Sequence, residues 1–77
     1  MSEPAQWHRP RVVRLHRRII KALYWALDEA AKEEDDLVTS AMFSGKASAY
    51  HEMAQQIEVI FGLVRLTREE SNEPNIP

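Results

Sequence analysis

The 77-residue chain contains no cysteine, two glycines and four prolines, and acidic residues are missing from one long stretch. Without cysteine there is no disulfide framework and no thiolate metal site. Both glycines, Gly45 and Gly62, and all four prolines lie outside Arg11–Leu37, so a long uninterrupted segment is free of helix breakers. The longest uncharged apolar run, Val59–Val64, is far short of the ~20 residues that span a bilayer. Met1–Arg11 carries Glu3, two prolines and two arginines rather than the apolar core of a signal peptide. These absences lead to the expectation of a soluble, cytoplasmic protein with no membrane contact. No acid occurs from Arg9 to Lys21, which holds Arg9, Arg11, Arg14, Arg17, Arg18 and Lys21. Asp28–Asp36 is the reverse: six acids against Lys32 alone. The net charge of −2 averages two opposed blocks.

Hydrophobic residues make up 44 % of the chain, a folding composition, but one small domain is all the length allows. Val12, His16, Ile19, Leu23, Leu27 and Ala30 recur at steps of three and four, the stripe of an amphipathic helix. Pro10 suits its first turn. Ala47, Tyr50, Ala54, Ile57, Phe61 and Val64 repeat the pattern, with Phe43 extending it backward. The pattern predicts an all-α antiparallel hairpin: helix about 10–34, connection about 35–44 burying Leu37 and Met42, helix about 44–67. Flexible ends are expected at 1–9 and 68–77. A core this small calls for help. Val59, Gly62, Leu63 and Leu66 form a second apolar side on helix two, and they are expected to pair two hairpins as a homodimeric four-helix bundle.

Two chemical motifs fall short. Ser44-Gly45-Lys46-Ala47 resembles the end of a phosphate loop, but Ser40 stands where the first glycine belongs and Ala47 where a hydroxyl residue belongs. Ser44 is better read as a helix cap. His51-Glu52-Met53-Ala54-Gln55 is a zinc-protease helix with Gln55 in place of the second histidine. On the helix Ala47, Tyr50, Met53 and Ala54 would face inward, and Ser48, His51, Glu52 and Gln55 outward. No catalytic set, metal or cofactor is expected, and the protein reads as a non-enzyme. The stretch from Phe43 to about Val64 has Gly-Lys at a turn, an aromatic a few residues on and an isoleucine-bearing helix. It resembles the C-terminal half of short phage-encoded helical-hairpin proteins, a group with no common activity to transfer.

The candidate working surface is Arg11, Arg14, Arg18, Lys21 and Trp25, which share one face at 100° per residue. Arginines at a helix N-terminus and acids at its C-terminus oppose the helix dipole. A tryptophan among arginines is a common hot-spot composition. It could equally lie flat on its own helix under the Lys21 stem. The leading expectation is a small interaction protein, an inhibitor or adaptor that binds an acidic protein partner. The alternatives are nucleic-acid binding by the same face, or a purely structural oligomerisation module that needs no exposed binding face; the acidic group met by the basic face could also be the Asp28–Asp36 segment of a second copy.

Overall fold

The computed structural model describes residues 4–32 and 35–72, with side chains from residue 9 onward. Among the described residues three helices follow one another: α1 (Pro4–Lys32), α2 (Leu37–Phe61) and α3 (Arg68–Asn72). α1 and α2 pack as the antiparallel hairpin expected. α1 begins six residues before Pro10, so that proline lies inside the helix rather than opening it, where its ring leaves the carbonyl four residues earlier without a helical donor. No described helix is long and apolar enough to cross a membrane.

α2 begins at Leu37, well ahead of the expected Ser44. Its cap is Asp36, in extended geometry (φ −117°, ψ 92°). The Thr39 N–H donates to Asp36 Oδ1 at 3.1 Å and the Thr39 hydroxyl to Oδ2 at 2.6 Å. These bonds, the hydroxyl first, hold the Asp36 carboxyl below its usual range. A carboxylate also suits the positive end of the helix dipole, so the acidic run starts α2 instead of only separating the helices. Leu37 and Met42 are consequently on the helix surface, 79 % and 51 % exposed, not buried in a connection. Ser44 and Gly45 are interior helical residues.

Gly62 ends α2. It sits at φ 66°, ψ 38°, and its N–H and that of Leu63 both reach the Glu58 carbonyl. A left-handed residue is where glycine carries little penalty. Val64, placed on the packing row by periodicity, therefore falls beyond the helix and is 84 % exposed.

The chain then returns across α1. Tyr24 donates its hydroxyl to the Leu66 carbonyl at 3.0 Å, Arg17 donates to the Glu70 carbonyl at 2.8 Å, and Arg68 pairs with Asp28 while lying over the Tyr24 ring. Thr67-Arg68-Glu69-Glu70 is a capping box: Thr67 N–H donates to Glu70 Oε1 at 2.9 Å and Glu70 N–H to Thr67 Oγ1 at 3.2 Å. Ser71 is fully buried. The segment expected as a loose tail is thus ordered structure as far as Asn72, while 73–77 lie outside the described residues.

The core is thin. Ile19, Ile20, Leu23, Ala26, Ala47 and Ala54 are buried, and Tyr24, Tyr50, Ile57 and Leu66 pack against them. Alanines at 47 and 54 let α2 lie close to α1. The molecule measures 54 × 25 × 15 Å. Its thinnest dimension is little more than the ~10–12 Å of a single helix, so the hairpin is one layer with two flat sides.

Candidate interaction surface

His16 sits mid-stripe on α1 and is 3 % exposed. Its Nε2–H donates to Glu58 Oε2 at 2.8 Å. Arg65 grips the same carboxylate through Nε and Nη2 and donates from Nη1 to His51 Nδ1 at 3.1 Å. The Arg65 hydrogen bonds, helped by His16, hold the Glu58 carboxyl below the usual range against the opposing effect of burial. His16–Glu58–Arg65–His51 is a continuous polar chain on one flat side of the hairpin, under the returning segment. His51, the first residue of the failed zinc motif, serves as an acceptor for arginine. Among the described residues no group of three or more metal-binding side chains comes together. Periodicity flagged His16; its partners Glu58 and Arg65 had no visible signal, because Arg65 lies beyond the helix and arrives only through the Gly62 turn.

Arg11, Arg14, Arg18 and Lys21 are all exposed, and none has an ion-pair partner among the described residues. Arg17 differs: it points to the returning segment. Trp25 is 48 % exposed. It does not stand free among the cations, because its ring meets Phe43 of α2 edge-on, with centroids 5.3 Å apart and planes at 88°, and Lys46 lies over the same Phe43 ring at 5.4 Å. A shallow notch lined by Lys21, Tyr24, Trp25, Asp28, Arg68 and Asn72 joins the basic face to the returning segment.

The four residues assigned to a dimer contact do not form one surface. Leu66 packs against the core, Leu63 is half-buried, Gly62 is the exposed helix cap, and Val59 is the one large side chain among them that is well exposed, at 78 %. The helix they were placed on ends at Phe61, so the 100° rule no longer applies to three of them. Met53, expected inside, is 50 % exposed. Large apolar side chains are bare elsewhere: Leu15 at 48 %, Met42 at 51 % and Ile60 at 69 %. Comparison with protein-family models, curated proteins and solved structures returns no match.

Proposed function

We propose that the protein is a small non-enzymatic interaction protein that binds an acidic protein partner through the basic face of α1. The observation that carries this reading is the set of four exposed cations, Arg11, Arg14, Arg18 and Lys21, without ion-pair partners among the described residues. Clustered like charges repel, and folding of the hairpin gives no reason to gather them. An opposite charge relieves the repulsion and steers encounter. The half-exposed Trp25 beside them supplies an apolar anchor. Homodimerisation through the bare apolar side chains, with four helices in a bundle, belongs to the same reading, as does a cytoplasmic setting. Taken with the resemblance of Phe43–Val64 to phage-encoded hairpins, the role would be that of an inhibitor or adaptor.

Nucleic acid is the second ligand that exposed arginines and a tryptophan suit, although the chain's pI of about 5.9 disfavours it. Capture from cells expressing the protein, with wild type and with Arg14→Glu plus Lys21→Glu, separates the two. A protein retained by wild type only, after nuclease treatment, supports the reading. Retention lost to nuclease transfers the face to nucleic acid, and equal retention by both baits overturns it.

A further inference from the structure

The hairpin's two flat sides are unequal. Arg65, Leu66 and α3 cover one, over Tyr24 and His51. On the other, α1 presents Arg11, Leu15, Arg18, Ala22, Trp25 and Glu29, a row at alternating steps of four and three. The Trp25–Phe43 contact shows that this row borders α2. Tyr50, Met53, Ile57 and Ile60 form the adjoining strip of α2 by the same 100° rule.

The α1 row is complementary to itself. Laid antiparallel on a copy of the same helix, with a twofold axis at Ile20, Arg11 meets Glu29, Leu15 meets Trp25, and the long Arg18 meets the small Ala22. The α2 strip has its own centre, midway between Met53 and Ala54: Tyr50 meets Ile57, and Met53 lies one residue from its own copy. These centres were read from different helices, yet they fall at similar levels of the hairpin. Arg9–Phe61 and Ala30–Ser40 set Ile20 level with about residue 50, and His16–Glu58 sets it level with about residue 54, so the two centres lie within about one helical turn of each other.

We propose that a second copy of this chain packs on the bare side, antiparallel, about a twofold axis through the level of Ile20 and Met53. This rests on the dimer of the proposed reading and names the acidic group that Arg11 meets. The pairing sets the basic half of α1 against the acidic half of its copy, so that opposite charges face each other. Glu29, already 3.3 Å from the Lys32 ammonium, is shared between the two cations. Because the returning segment blocks the opposite side, the contact is isologous and closes at two copies rather than growing. Arg11, Arg18 and Trp25 are taken up by the second copy in this dimer, and Arg14 and Lys21, on the outer edge of α1, are the part of the basic face left to an acidic protein.

The absence of cysteine makes the test clean. Under mild oxidation Met53→Cys should cross-link to itself. Leu15→Cys and Trp25→Cys should cross-link when mixed but not singly, since each lies ~15 Å from its own copy in this register, beyond disulfide reach. Arg11→Glu should raise the dimer dissociation constant about tenfold, and adding Glu29→Arg should restore it to within about threefold, with circular dichroism confirming that each variant is helical. Self-cross-linking by each single variant, or no restoration by the charge swap, overturns the antiparallel register. A monomer in light scattering at tens of micromolar overturns the inference outright. Loss of an acidic partner on Arg14→Glu plus Lys21→Glu is a separate readout, so either reading can fall without the other.

Discussion

The covered and bare sides of the hairpin are built from the same two helices but hold together by different means. The covered side is polar and specific: one buried histidine, one carboxylate and one arginine, each hydrogen-bonded, under a segment pinned to α1 by Tyr24, Arg17 and Arg68. The bare side is apolar and unfinished, with Leu15, Trp25, Met53 and Ile60 about half exposed or more. A one-layer hairpin cannot bury both faces of each helix. Residues 65–72 lie on one side, and the other is left bare among the described residues. Damage to the covered side should therefore lower the stability of a single chain, whereas damage to the bare side should change assembly and leave the single chain largely intact.

The largest expected effect is on the covered side. Glu58→Ala removes the acceptor of both His16 and Arg65 and leaves a buried imidazole N–H unpaired. The loss should be about 1–3 kcal/mol in denaturant unfolding. Met53→Ala, on the bare side, should cost well under 1 kcal/mol at submicromolar concentration, where the monomer is measured, and should weaken the dimer instead. Equal losses for the two variants at low concentration would erase the distinction between the sides.

Acid should act on the same side. Hydrogen bonds from Arg65, then His16, lower the Glu58 carboxyl in the folded chain. A lowered carboxylate contributes stability above its unfolded pKa, ~4.3, and that stability is lost as pH falls through the folded value. Asp36 and Glu70 shift the same way, through their Thr39 and Thr67 hydrogen bonds. The melting temperature should be flat with respect to these groups between pH 6 and 8 and decline below about pH 5. Glu58→Gln should flatten part of that decline, and an unchanged slope would show that Glu58 is not responsible.

The helices themselves were legible in the sequence because each keeps a three-four rhythm over several turns, and hairpin pairing follows from two such stripes. The covered side was not. Its closing residues, Arg65 and Leu66, sit past Gly62, and a rhythm extended through that glycine put Leu63 and Leu66 on the wrong surface. Nothing in spacing alone distinguishes a glycine in a helix from one that stops it. The Thr67–Glu70 capping box was readable as T-x-x-E, but the asparagines and prolines that follow made the segment look like a tail. Asp36 was hidden in its acidic run, where a cap and a charged connection have the same composition. The basic row was visible from the start; the contact of Trp25 with Phe43 depends on the register between helices, which periodicity does not supply.

The smallest effect separates the two glycines and serves as a control for both sides. Gly45 lies inside α2, and a Cβ built on it meets no atom within 4 Å. By the 100° rule it faces away from α1 and outside the proposed contact. Gly45→Ala therefore adds only helix propensity and should raise stability by about 0.5–1 kcal/mol with no change in dimerisation. Gly62 also has open space around its Cβ position, but its φ is 66°. Gly62→Ala should cost about 1–2 kcal/mol because an L-residue is strained there, and it would loosen the turn that delivers Arg65 to Glu58. Chemical denaturation of the pair, done at one protein concentration, should thus give shifts of opposite sign. A destabilising Gly45→Ala would mean that the outer edge of α2 is occupied after all, and that the hairpin has a third working surface besides its covered and bare sides.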